Sequence, residues 1–402
     1  MQTHLADFIR ETEQGREAER ILRSCVHCGF CNATCPTYQL LGDELDGPRG
    51  RIYLIKQVLE GQPATRKTRI HLDRCLTCRS CETTCPSGVR YGRLLDIGRA
   101  VIEKSVERSR LDRLVRKGLR LVIPFSARIR PVIELGRKAL PLLPASLKRK
   151  VPNRTEITEA WPESRHQRKM LALNGCVQSA AAPQIDLAAA RVLDRIGISL
   201  VRVPQGGCCG ALSYHLSQKE EALNFVRRNI DAWWPWIESG TEAIVSTASG
   251  CGVMVKDYGE LLKNDPDYAD KARKVSMLAK DIAEVLSDRD RSGIEGNPET
   301  RVAFHSPCTL QHGQKINGLV EKILLDTGFT LCPVENPHLC CGSAGTYSIL
   351  QKTLSDRLLA EKIKALEKGR PDIIATANIG CLLSIQSATE LPVKHWIEVL
   401  AG

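Results

Sequence analysis

The sequence predicts a chain of mixed class: an α-helical N-terminal domain followed by two tandem α/β units built on parallel sheet. Three observations carry this expectation. Eight of the 17 cysteines stand near the N-terminus in two copies of one pattern, fifty positions apart. Four more, Cys176, Cys208, Cys209 and Cys251, recur as Cys308, Cys340, Cys341 and Cys381, the first three offset by 132 and the last by 130. Around each of these sets apolar strand-like runs alternate with helical ones, which favours α/β units with parallel strands.

The first pattern comprises Cys25, Cys28, Cys31 and Cys35 before Pro36, then Cys75, Cys78, Cys81 and Cys85 before Pro86. Each copy reads C-x2-C-x2-C-x3-C-P, the spacing of a ferredoxin that holds two [4Fe-4S] clusters. Two-residue gaps let three thiolates of one tight loop reach three corners of a cubane, while the fourth cysteine leaves toward the other cluster. The expected ligand sets therefore cross over: Cys25, Cys28, Cys31 and Cys85 for the first cluster, and Cys75, Cys78, Cys81 and Cys35 for the second. Pro36 and Pro86 turn the chain away from each cluster. Zinc ribbons need only two C-x-x-C pairs and leave the third cysteine and the Cys-Pro ending without a use. A disulfide framework conflicts with a chain long enough to build cores unaided and with the lack of an export signal before the motifs, so a reducing, cytoplasmic setting is expected. Pro48 suits the first turn of a helix over 49–59. Arg49 or Arg51 on it either faces a cluster or stands solvated. His27, between Cys25 and Cys28, either hydrogen-bonds sulfur or is an exposed loop residue.

At 402 residues, 43% hydrophobic and 26% charged, the chain has the composition of a soluble protein of two or three domains. No apolar run has the length of a membrane span. The net charge of +11 is concentrated: Arg99 to Lys169 holds nineteen Lys and Arg against seven Asp and Glu, a net of +12, which leaves about −1 for the rest. Within this segment Leu111, Leu114, Val115, Leu119 and Val122 recur at helical spacing among arginines, predicting a basic amphipathic helix closed by Pro124. Ile129, Val132, Ile133 and Leu140 predict a second, shorter helix before Pro141. Such a segment either lies on an anionic membrane surface or acidic partner, or packs its apolar stripe on its own protein. Without a DNA-binding or aromatic-rich RNA motif, nucleic acid is not expected as a partner. The expected domains are 1–98, a basic linker 99–165, and repeats 166–291 and 292–402.

In each repeat a strand, Met170 to Leu173 or Val302 to Phe304, runs into the first cysteine. A helix ends at a capping glycine, Gly197 or Gly328. A short strand then leads to Cys208-Cys209-Gly210 or Cys340-Cys341-Gly342. A last strand, Ala243 to Thr247 or Asp372 to Thr376, ends at Cys251 or Cys381. Cysteines at strand ends can converge on one sheet edge, where open α/β folds bind ligands. Adjacent cysteines suit a metal cluster better than a mutual disulfide, and Gly210 and Gly342 let backbone N–H groups approach sulfur. The alternative is that these cysteines are small buried hydrophobes. Cys332 has no counterpart and reads as a strand residue. Trp233, Trp234 and Trp236 read as core or subunit contact. His305, His312 and His338 flank the second set of cysteines and are candidate ligands at most.

The N-terminal half resembles the α-helical ferredoxin domain of succinate dehydrogenase and related iron-sulfur subunits. The repeats resemble the paired cysteine-rich CCG domains of heterodisulfide reductase and of 2-hydroxyacid and glycerol-3-phosphate dehydrogenase subunits. With the run from Gly42 to Arg51 between the ferredoxin motifs and His305-Ser306-Pro307-Cys308 opening the second repeat, the whole chain is similar to the iron-sulfur subunits of bacterial glycolate oxidases. This resemblance implies an electron-transfer subunit of a multi-subunit oxidoreductase that converts glycolate to glyoxylate, with FAD in partner subunits, quinone as acceptor and peripheral attachment to the inner membrane. Lactate and glycerol-3-phosphate systems share the module order, and a thiol-disulfide reductase is the other reading. Against the latter, the family's closing C-x-x-C is absent: Gly252-Val253-Met254 follows Cys251 and Leu382-Leu383-Ser384 follows Cys381. No dinucleotide fingerprint, P-loop, zinc-protease motif or nucleophile elbow is present, so no catalytic residue is expected in this chain.

Overall fold

The computed structural model describes residues 1–144, 148–152, 159–287, 289–291 and 293–402. Part of the expected linker, 145–147 and 153–158, thus lies outside the described residues. The chain divides into two compact units. One comprises Met1–Lys117, His215–Ser217 and His338–Leu358; the other comprises Gly118–Tyr214, Gln218–Pro337 and Leu359–Gly402.

The first unit is helical. Its core is built by the helices Glu13–Ser24, Pro48–Leu59 and Tyr91–Ser105, which bury Leu22, Ile55, Leu59, Leu94 and Leu95 completely. Pro48 occupies the first helical turn, where a missing N–H has no consequence. Gly98 lets two of these helices close up, since a Cβ there would lie 2.7 Å from Ile55 Cγ1.

The second unit holds two four-stranded parallel sheets. In the first, β1 (Arg168–Ala172), β2 (Ile198–Arg202), β3 (Ile244–Ser246) and β4 (Ala279–Asp281) lie in the order β2-β1-β3-β4. In the second, β5 (Arg301–His305), β6 (Thr330–Leu331), β7 (Ile373–Thr376) and β8 (Val393–His395) repeat that order as β6-β5-β7-β8. Every pairing is parallel. Parallel sheets need both faces covered, and the inner strands β3 and β7 are accordingly buried at every residue. Trp233 is buried in the core of the first repeat, stacked on Tyr258 with ring centroids 6.4 Å apart.

Three sequence expectations shift. The helix after Pro124 spans Ser126–Lys138, 13 residues, as long as the helix Arg110–Val122 before it. Its first three residues, Ser126-Ala127-Arg128, carry no large apolar side chain, so the spacing signal begins only at Ile129 and the helix reads as shorter. Cys251 and Cys381 are not at strand ends but in the first turns of the helices Ser249–Lys256 and Ile379–Gln386. After β3 the Ser246 hydroxyl donates to Ala248 O and accepts from Ala248 N, turning the chain out of the sheet early. Cys332 lies one residue past β6, although its N–H still bonds Val302 O at 2.8 Å.

The two repeats meet at the starts of those two helices. Ser249 N donates to Ala377 O at 3.1 Å, and Gly250 N to Asn378 Oδ1 at 3.2 Å. At the end of β8 the buried His395 ties the repeats together as a neutral imidazole: Nε2–H donates to Thr247 O at 2.7 Å and Nδ1 accepts from Ile397 N. Burial lowers its pKa from 6.5 to about 3. A depressed folded-state value means stability is complete above pH 6.5 and falls on acidification toward pH 3, by up to about 1.4 kcal/mol per pH unit. His395→Gln is expected to flatten this acid limb, measured as the denaturation midpoint between pH 7 and pH 4.

Candidate metal centres

The two N-terminal cysteine loops adopt the same backbone course. The residue two after the first cysteine and the one following the second are left-handed in both: His27 (φ 61) and Gly29 (φ 87), Thr77 (φ 54) and Arg79 (φ 60). For the three non-glycine residues this conformation costs roughly 1–2 kcal/mol each and persists only where the surroundings impose it. It aims backbone N–H groups inward: Thr77 N donates to Cys75 Sγ at 3.5 Å, and the His27 N–H does the same for Cys25. The His27 ring instead stacks on Tyr53 at 6.3 Å. Short helices, Phe30–Ala33 and Ser80–Thr84, follow each loop, and Thr34 and Thr84 bridge the copies through a 3.1 Å hydroxyl contact.

The thiols fall into two neighbourhoods. A pocket is lined by Cys25, Cys28, Cys31 and Cys85, with Cys81, Arg49 and Tyr91 also in its wall. Burial, then the neighbouring thiols, pushes Cys31 up to about 11, and Cys25 is raised in the same way. In the other neighbourhood burial raises buried Cys81 well above its ordinary value, and Cys78, Cys75, Glu82 and Cys35 add to the rise. Thiols crowded so that each opposes ionisation of the next are suited to a cation-rich group that stabilises all of them as thiolates.

The second neighbourhood holds a buried cation. Arg51 is 1% exposed; its Nε donates to His71 O at 2.7 Å, and both terminal nitrogens donate to Thr37 Oγ1. Burial alone would depress it, but the charges of Cys75, Tyr91, Cys35 and Asp46 hold its pKa above the ordinary guanidinium range. Thr37 Oγ1 lies 3.3 Å from Cys35 Sγ, and Tyr91 OH donates to Cys75 Sγ at 3.5 Å. Arg49, by contrast, pairs with Glu44 at 2.6 Å and is about one-third exposed. Sequence reasoning missed Tyr91, whose sulfur partner lies 16 residues away. Tyr91→Phe deletes one donor to the Cys75 sulfur; at about 1 kcal/mol per bond, the potential of a cluster held by that sulfur is expected to drop by about 40 mV, read by redox titration at unchanged iron content.

In the first repeat the four cysteines form a chain of thiol contacts from Cys176 through Cys208 and Cys209 to Cys251. Cys208 accepts from Cys176, Cys209 and Gly210 N–H and faces Arg228, so its pKa is pulled down while those of Cys176 and Cys209 rise. Gly210 (φ 91) makes that approach possible, since a Cβ would lie 2.9 Å from Ala222 O. Arg228, whose positive charge bears on Cys208, stacks over the Phe225 ring at 5.1 Å, while its Nε and Nη2 have no hydrogen-bond partner among the described residues. An anionic iron-sulfur group fits that site.

In the second repeat Gly342 (φ 84) likewise donates to Cys340 Sγ, at 3.4 Å. Buried Cys340 and Cys341 lie on the segment grouped with the first unit, where Tyr347 OH donates to Arg74 O at 3.1 Å. Cys308 and Cys381, also buried, lie in the second unit with the buried His305 and His312. His338 is half-buried in the first unit. Asn378 Nδ2 donates to Cys381 Sγ at 3.7 Å.

Comparison with known proteins agrees with this anatomy. Residues 21–89 match the 4Fe-4S dicluster domain, and residues 170–256 and 302–386 each match the cysteine-rich domain. The glycolate oxidase iron-sulfur subunit of Escherichia coli K12 is 55% identical, covering 100% of this chain and 98% of that protein. The probable glycolate oxidase iron-sulfur subunit of Bacillus subtilis 168 is 30% identical over 95% of this chain and 92% of its own. Lactate utilization protein A of Bacillus licheniformis is 26% identical but covers 56% of this chain.

Proposed function

Because the chain belongs to the family of glycolate oxidase iron-sulfur subunits, we propose that it takes electrons from flavin-bearing partner subunits, which oxidise glycolate to glyoxylate, and delivers them singly to membrane quinone. The end-to-end match to glycolate oxidase subunits carries this reading; the lactate relatives match only about half of the chain. When bound, a [4Fe-4S] cluster supplies one-electron chemistry, and the protein supplies ligation, spacing and potential. Cys25, Cys28, Cys31 and Cys85 hold one cluster and Cys75, Cys78, Cys81 and Cys35 the other, a crossing supported by the two thiol neighbourhoods. Tyr91, Thr37 and Arg51 place a hydroxyl donor, a second hydroxyl and a buried positive charge beside the latter set, favouring its reduced, more negative state. Cys176, Cys208, Cys209 and Cys251 hold a further iron centre, as do Cys308, Cys340, Cys341 and Cys381.

Membrane attachment is the role of the helix Arg110–Val122. No helix of the described residues is long and apolar enough to cross a membrane. This helix, however, is turned inside out: Leu111 and Leu114 are 72% and 67% exposed, whereas Arg116 pairs with Asp112 and Asp73, and Arg120 with Glu221. Arg110, Arg113 and Lys117 flank the bare leucines. An apolar strip edged by cations suits an anionic lipid surface. Leu111→Glu with Leu114→Glu is expected to weaken binding to anionic vesicles by at least ~100-fold, from about 1.5 kcal/mol or more per leucine.

The proposed function is tested by adding glycolate anaerobically to the complex of this chain with its partner subunits and recording flavin absorbance together with EPR. Flavin bleaching followed by reduced iron-sulfur signals from this chain is expected. Bleaching without those signals, with electrons reaching quinone all the same, overturns the reading.

A further inference from the structure

His305 departs from a rule that most buried polar groups obey. Its side chain is 1% exposed, and neither Nδ1 nor Nε2 meets a hydrogen-bond partner among the described residues. Buried polar groups are almost always paired, at a cost of roughly 1–3 kcal/mol for each one left unmade. The equally buried His395, at the end of β8, has both ring nitrogens satisfied. His305 ends β5, in register with Thr376 at the end of β7, and the helix that follows β7 carries Cys381. The imidazole offers a ligand atom within 4.8 Å of Cys381 Sγ. At the matching place in the first repeat, offset by 132, stands Leu173, an apolar core residue. The two repeats therefore differ at this point.

We propose that His305 is a nitrogen ligand of the iron centre in the second repeat. It supplies a donor beyond the repeat's cysteines where Ser384 occupies the position of a fifth cysteine. This rests on the reading that the second repeat carries iron. An imidazole is a neutral ligand, so a centre that binds it carries less negative charge than an all-thiolate one and is the more easily reduced, the same effect by which histidine ligation raises Rieske potentials. The second repeat then has the higher potential of the two.

The test is pulsed EPR on the anaerobically purified full chain, reduced, with natural-abundance and with 15N-labelled histidine, alongside iron analysis. A nitrogen coupling of directly bound imidazole that changes with the label is expected. It should vanish in His305→Ala, with the ferredoxin-domain signals unaltered. His305→Cys, which offers a thiolate in place of the imidazole, should keep the iron, lose the coupling and lower the potential of that centre. Iron in the second repeat without nitrogen coupling, or a coupling that survives in both variants, overturns the ligand assignment alone. Iron that stops at the ferredoxin domain, about eight atoms, overturns the underlying reading as well.

Discussion

Replacing Cys78 with Ser is expected to remove about four of the roughly eight irons of the N-terminal domain and to bring glycolate-dependent quinone reduction down to background. Cys78 projects from the Cys75 to Cys81 loop, between the left-handed Thr77 and Arg79 that aim it. A serine hydroxyl replaces a soft thiolate with a hard, protonated oxygen, which iron-sulfur corners hold poorly. On the proposed division of labour, flavin reduction by glycolate should be unchanged, because substrate oxidation is assigned to the partner subunits. Paired iron analysis and stopped-flow absorbance read the two effects separately. Full quinone reduction in the variant contradicts the assigned role of this loop.

The second large effect is on stability. Asp46 is fully buried; its carboxylate accepts from Arg74 at 2.7 Å and from Arg51 at 3.5 Å, with His71 Nδ1 at 3.0 Å. Its backbone carbonyl accepts from the Thr37 hydroxyl that also meets Arg51 and approaches Cys35. Asp46→Ala strands a buried guanidinium, and stranding one partner of a buried pair costs about 3–5 kcal/mol. Chemical denaturation of the iron-loaded chain should register that loss. Asp46→Leu combined with Arg51→Met should recover part of it, since an apolar pair removes both desolvated charges. The double variant should also show a lowered potential for the group beside Cys35 and Cys75. A loss within ~0.5 kcal/mol for Asp46→Ala, the range of ordinary surface changes, would show that this network does not hold the domain.

How much of this is legible in the sequence depends on whether partners are close along the chain. The 4Fe-4S dicluster domain over residues 21–89 is written as spacing, because a tight loop that delivers three sulfurs at once fixes the gaps between them, and the two cysteine patterns point to it directly. The repeat order of strands is legible for the same reason, in an offset of 132 that carries strand, helix and cysteine together. Arg49 and Arg51 are indistinguishable in sequence, yet one is half-buried at the first thiol pocket and paired with Glu44, and the other is buried against His71 and Asp46. Their fates depend on which helical face meets the turn at Glu44–Asp46, and the sequence around them does not carry that phase. The helix Arg110–Val122 shows the same limit. Amphipathic spacing says that a helix has two faces, not which one faces inward, and here the acidic partners Asp73 and Glu221 draw two of its arginines toward protein. His305 sits beside a cysteine in the sequence, as do His27 and His312. His312 is buried too, so it is the unpaired ring nitrogens of the buried His305 that set it apart.

The central claim is that two crossed sets of four thiolates each hold a [4Fe-4S] cluster, with further iron in the repeats. The most direct measurement is iron and acid-labile sulfide per chain after anaerobic purification, with EPR of the reduced protein. The account predicts about twelve to sixteen irons and the spectrum of two close, interacting [4Fe-4S] clusters in the ferredoxin domain. About eight irons contradicts the further iron in the repeats, and no more than about four, or zinc without labile sulfide, contradicts the two crossed clusters as well.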